Sequence, residues 1–151
     1  MNQEKKWGFS AIEILVVMGI LAILFAIGVP FYRNFRPRLI LKQAAAQVRS
    51  DLMLNRQRAV TTSKSYLFEF DTGTQNYELF RVEGNDTLSL GERSLPARIE
   101  MVGDGSLPDI LTFYPNGITN GQGRLFLIHT ATNDTVRVIV TRAGFVRFEQ
   151  R

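Results

Sequence analysis

From Phe9 to Tyr32 the chain runs through 24 residues whose only ionisable side chains are Glu13 and the phenol of Tyr32. At 1.5 Å per residue a helix of that length reaches roughly 36 Å, enough to cross a hydrocarbon core of about 30 Å. Lys5 and Lys6 precede the run and the next cation is Arg33. The positive-inside tendency therefore keeps the short N-terminus cytoplasmic and sends the remainder outward. A carboxylate in such a run costs about 2.5–3.5 kcal/mol at the bilayer centre on insertion scales. Glu13 needs a partner, and that partner belongs to the function.

Two simpler readings account for less. A cleaved secretory signal has an apolar core of about 7–15 residues and then a small-x-small site. Here the run is longer, and Gly28-Val29-Pro30-Phe31-Tyr32 is a poor cleavage site. A plain anchor explains the length but neither Glu13 nor Gly8-Phe9. The segment Gly8-Phe9-Ser10-Ala11-Ile12-Glu13-Ile14-Leu15-Val16-Val17 resembles the leader junction of type IV pilins and type II secretion pseudopilins. The resemblance implies that a prepilin peptidase cuts between Gly8 and Phe9 on the cytoplasmic side and methylates the new N-terminus at Phe9. It also implies that Glu13 is the family's assembly glutamate and Pro30 its helix-weakening proline. Ser10 and Ala11 depart from the commonest Thr-Leu pair without removing chemistry. The implied partners are the peptidase, other pilin or pseudopilin subunits and the inner membrane, with no cofactor.

Physical chemistry supports the same roles. A freed Phe9 amine is a cation at one helix N-terminus, and a neighbouring copy can offer it Glu13. Such a pair attracts strongly in low dielectric, and leaving one member unpaired is heavily penalised. Pro30 lacks an amide hydrogen and crowds the preceding turn, which lets a helix kink or locally melt. A simple bend at the membrane exit explains it equally well.

Past the apolar run, Arg33, Arg36 and Arg38 surround Pro37 and suit lipid headgroups or acidic partners. Leu41, Ala45, Val48, Leu52 and Ala59 then recur at helical spacing, with Lys42, Gln43, Arg49, Asp51 and Arg56 opposite. The pattern predicts one helix from about Ser10 to about Thr61, with Pro30 and Pro37 as places where it could break. Eight strand candidates follow: 66–70, 77–82, 87–90, 98–102, 110–114, 124–129, 136–141 and 145–149. A turn containing Gly73 joins the first two, and Gly- and Asn-rich punctuation separates several others. The expected fold is α+β and pilin-like, a long N-terminal helix packed on an antiparallel β-sheet or small β-sandwich. Residues 1–8 are the leader, 9–32 the transmembrane and assembly helix, 33–63 its amphipathic continuation and 64–151 the β-rich periplasmic domain. Phe68, Phe70, Phe80, Phe113, Phe126 and Ile139 are the expected core.

Leu111–Gly117, Arg124–Leu127 and Arg137–Arg147 extend the resemblance to the GspH/FimT group of minor pilins and pseudopilins. That group implies a structural subunit at or near the tip of a type II secretion pseudopilus or type IV pilus. Some relatives instead capture DNA, which needs cations for phosphates. Arg137, Arg142 and Arg147 are the candidate contacts here, and Phe145 could stack on a base. The DNA-binding relatives carry a Gly-Arg-x-Arg turn where this chain has Gly144-Phe145-Val146-Arg147, so the first arginine is missing.

The net charge of +4 does not by itself imply nucleic acid. With no cysteine there is neither a disulfide framework nor a thiolate metal site. A membrane-tethered periplasmic enzyme is the remote alternative. His129 is the only histidine and reads as a strand-end residue. No nucleophile elbow or phosphate loop is present. Asp104 and Asp109 lack the alternating oxygen ligands of a calcium loop, so that stretch reads as a solvated loop. The sequence is that of a structural part rather than a catalyst.

Overall fold

Ser10 starts the helix. Its carbonyl accepts from the amides of Glu13 (3.0 Å) and Ile14 (3.2 Å), and Glu13 places an acid in the first turn, where the helix dipole favours it. The computed structural model describes residues 10–72 and 74–150. The expected cleavage junction, Gly8 and Phe9, lies outside the described residues, as does Gly73 of the expected hairpin turn.

Helix α1 spans Ala11–Thr62. It continues through Pro30 and Pro37, so neither proline breaks it. Each removes one helical donor. At the C-terminal end, Thr61 Oγ1 donates to the Gln57 carbonyl (2.9 Å) and Thr62 Oγ1 to that of Arg58 (2.7 Å). Both are bonds from a threonine hydroxyl back to the carbonyl four residues earlier, which already accepts from the helix backbone. Ser63 then turns the chain out with φ +54°.

The chain divides into two compact units, one ending at Arg36 and the other beginning at Pro37. In the first, the helix is apolar on every side from Ile14 to Phe31 and its described side chains are exposed, Ile12 by 71%. In the second, the helix is amphipathic: Leu41, Ala44, Ala45, Val48, Leu52, Asn55 and Ala59 are buried. These positions recur every three or four residues and form one stripe. All five apolar positions expected on that face are buried, joined by Ala44 and Asn55.

That stripe packs on eight antiparallel strands. The first sheet, ordered β3-β2-β1-β5, contains β1 (Tyr66–Phe70), β2 (Asn76–Glu83), β3 (Asp86–Ser94) and β5 (Ile110–Phe113). The second, ordered β4-β6-β7-β8, contains β4 (Ile99–Gly103), β6 (Gly123–His129), β7 (Thr135–Val140) and β8 (Val146–Gln150). Gly84 takes φ +64° at the first position of the two-residue β2–β3 loop, the positive φ a type II′ hairpin needs there. Every residue of β3 is exposed, and its register with β2 slips at a bulge between Leu79 and Phe80.

One core joins the helix and both sheets, with Phe68, Phe70, Tyr77, Leu111, Phe113, Leu125, Leu127 and Val138 among its members. Phe68 stacks on Tyr77 with ring centroids 4.9 Å apart. Three expected core residues lie elsewhere: Phe80, Phe126 and Ile139 are only half-buried. Their strands bury the alternate residues Tyr77 and Leu79, Leu125 and Leu127, and Val138 and Val140. Because side chains alternate across a strand, a shift of one position sends the whole set to the other face.

Candidate assembly surfaces

Glu13 lies between Ile12 and Ile14 in the first turn of α1, exposed and with no ion-pair partner among the described residues. Phe25, Phe31 and the other large side chains between Ile12 and Phe35 are likewise exposed. Phe31 and Phe35, one turn apart, stack with centroids 6.2 Å apart. Pro30 is exposed within the same stretch. As far as Tyr32 the surface is thus hydrocarbon with one carboxylate near its start.

In the second unit, polar side chains of α1 reach different pieces of the sheets. Tyr77, on β2, donates its hydroxyl hydrogen to Asp51 Oδ2 at 2.6 Å and accepts from Gln47 Nε2 at 3.2 Å. Burial, and then the hydrogen bond to Asp51, hold the Tyr77 phenol above the ordinary tyrosine value of 10.0. Asn55 donates to the Leu67 carbonyl on β1 at 3.3 Å, while its Oδ1 is enclosed with no partner among the described residues. Arg56 donates from Nε to the Gly117 carbonyl (3.1 Å) and lies 5.1 Å from the Phe145 ring centroid. Arg49 stacks over Phe148 at 5.5 Å. Arg49, Asp51 and Arg56, expected on a solvated face, are half-buried fasteners instead. They border the buried stripe, and their long side chains reach back over it.

Gly144 sits beside Arg56 with φ +75°, and a Cβ there would come within 2.1 Å of the Gly117 carbonyl. Glycine is required by both conformation and space. Arg142, two residues earlier in the same turn, is exposed, and its carbonyl accepts from the Thr119 amide at 3.0 Å. Arg137 and Arg147 share the outer face of the second sheet but stand in adjacent rows. Arg137 lies between Phe126 and Glu149, whereas Arg147 faces Ile139, with Arg124 beyond it. The structure therefore brings two of the three candidate arginines onto one face and leaves Arg142 in the turn. Phe145 is 58% exposed, with Arg56 against its ring.

His129 ends β6, is buried, and meets the Thr132 hydroxyl at 3.2 Å through Nδ1. Asp104 is committed to its own loop. Its Oδ1 accepts from the Ser106 and Leu107 amides (2.9 and 3.2 Å), and its Oδ2 accepts from the Arg124 amide at 3.0 Å. Among the described residues, no three His, Cys, Asp or Glu side chains are grouped to hold a metal ion.

Comparison with solved structures gives the same architecture. The minor pseudopilin EpsH of the Vibrio cholerae type 2 secretion system superposes with a TM-score of 0.63 at 13% identity, covering 72% of this chain and 95% of that one. The Pseudomonas aeruginosa type IV minor pilin FimU gives 0.63 at 17% identity, covering 76% and 92%. At these identities the likeness is one of fold. In sequence, prepilin peptidase-dependent protein D of Escherichia coli K12 is 56% identical over 32 residues, a match spanning 21% of this chain and 22% of that protein. Residues 44–144 match the family described as Type II transport protein GspH. That range takes in the helix stripe from Ala44 onward, strands β1 to β7 and the Arg56–Gly144 contact, and ends just before β8. The chain belongs to the GspH family.

Proposed function

We propose that this chain is a minor pseudopilin or pilin, a structural subunit anchored in the inner membrane by residues 9–32 and drawn into a filament through that segment. In this reading a prepilin peptidase cuts between Gly8 and Phe9 and methylates Phe9, and Glu13 meets the Phe9 amine of a neighbouring subunit. Pro30 gives the helix a place to adjust as it leaves lipid. The soluble domain is periplasmic and selects neighbours near the filament tip. The supporting observation is the exposed apolar surface of residues 10–36 beside a second unit with its own complete core. Such a surface needs lipid or other helices.

The role is assembly rather than catalysis. A polyanion-binding reading finds less support, because Glu149 opposes Arg137 and position 145 carries phenylalanine. The deciding experiment compares wild type with Glu13→Ala in the host envelope, reading N-terminal sequence and the amount recovered in sheared filaments. Cutting at Gly8 with loss from filaments is expected for the variant; normal incorporation would remove the charge pair from the mechanism.

A further inference from the structure

The second sheet ends at β8, whose register with β7 is unbroken. An edge strand offers unpaired backbone donors and acceptors, and natural edges are commonly blunted by bulges or cover. β3, the long edge of the first sheet, pairs through a bulge and contains Gly91 at φ +118°. No such irregularity interrupts the pairing of β8.

Beside this edge runs an uncovered flank of the helix. Arg49, Met53, Arg56 and Val60 recur at spacings of four, three and four, one position on from the buried Val48, Leu52, Asn55 and Ala59. Met53 is 48% exposed and Val60 49%. Met53, Arg56, Gln57, Val60, Phe145 and Val146 line a groove of about 460 Å³, and Arg49 lies one helical turn before Met53, at its end. Arg56 closes over Phe145 and Arg49 over Phe148. Neither guanidinium has a carboxylate within ion-pair distance among the described residues. A guanidinium held face-on against a ring still presents its in-plane N–H groups, the geometry a carboxylate matches.

We propose that the groove between α1 and the β8 edge receives an extended segment of a neighbouring filament subunit. An apolar side chain of that segment fills the space by Met53 and Val60, and an Asp or Glu beside it pairs with Arg49. This rests on the assembly reading above. The charge pattern selects the occupant: the groove supplies cations and hydrocarbon, so the partner supplies a carboxylate and hydrocarbon. In a helix-bundled filament, neighbouring domains face one another at high effective concentration, so modest affinity is sufficient. Backbone pairing along β8 adds orientation.

The test uses the full chain in its host envelope with a photoreactive benzoylphenylalanine at Met53, at Leu88 on the β3 edge as a control, and at Leu15. Met53 should form an adduct with a different pilin-like subunit, mapped by mass spectrometry to a segment with Asp or Glu next to, or one residue beyond, the attachment point. Arg49→Glu should lower its yield about tenfold, and replacing the mapped carboxylate by arginine should restore it. Leu88 adducts should be unaffected by either change. Four outcomes would overturn the proposal: no adduct at Met53, one indifferent to Arg49→Glu, one lacking a nearby carboxylate, or one with a second copy of this chain. Adducts at Leu15 without any at Met53 would remove the groove and leave assembly standing. Their absence at both would remove assembly and the groove with it.

Discussion

In residues 10–36, Phe25 and Phe31 are 66% and 72% exposed, whereas Phe68 and Phe113 in the second unit are 1% and 0% exposed. The same residue type faces opposite fates in one chain. Full burial of such a side chain is worth about 1.5–3 kcal/mol. The second unit collects that energy within itself; the first can collect it only from other molecules. The two units should therefore answer differently to mutation, one through assembly and the other through folding.

The largest effect expected is on assembly. With the proposed charge pair, Glu13→Ala would leave a neighbour's amine unpaired in low dielectric, a loss of about 3–5 kcal/mol, so sheared filaments should contain less than about a hundredth of the wild-type amount. Domain melting should not move. A shift in melting would mean that the units are not energetically separate. Next comes a matched pair of aromatic truncations. Phe68→Ala should destabilise the domain by about 3–5 kcal/mol in denaturant titrations, while Phe25→Ala should leave the same transition in place.

Two glycines sharpen the contrast. Gly144→Ala sets a methyl against the Gly117 carbonyl at a positive φ, for about 2–4 kcal/mol of strain and overpacking. Gly28→Ala meets nothing within 4 Å and should be silent in melting. Smaller still is Tyr77→Phe, at about 1–2 kcal/mol for the hydrogen bond to Asp51. That variant also carries a pH signature. The Tyr77 phenol is held above its ordinary 10.0 in the fold, so the unfolded chain releases the proton first as pH rises. Stability is whole below pH 10 and falls above it as the folded group approaches its own raised value. Melting temperatures taken from about pH 8 to pH 11 should show this fall in wild type. Its Tyr77 component should be missing in Tyr77→Phe.

The architecture was legible because its signals are periodic. All eight strand candidates are strands, with ends displaced by a few residues, and the helix ends one residue beyond the expected Thr61. Strand parity was harder to read. In Arg124-Leu125-Phe126-Leu127-Ile128 and Arg137-Val138-Ile139-Val140 both alternating sets contain apolar residues, so hydropathy does not say which face is inward. Phe126 and Ile139 consequently fall on the outer face, next to Arg137 and Arg147. Asn55 escaped notice because a buried amide looks like a surface residue until the Leu67 carbonyl is placed opposite it. The groove was illegible for a similar reason: Arg56, Gly117, Gly144 and Phe145 come from three segments, and only tertiary structure unites them.

The polar fasteners along α1 also have a mechanical consequence. Gln47 and Asp51 grip β2 through Tyr77, Asn55 holds β1, and Arg56 holds the turn at Gly117. A tug applied at Pro37 along the helix axis would load these grips in shear, with the tension shared among strands and a turn rather than peeling one contact at a time. The domain is built to be towed by its helix.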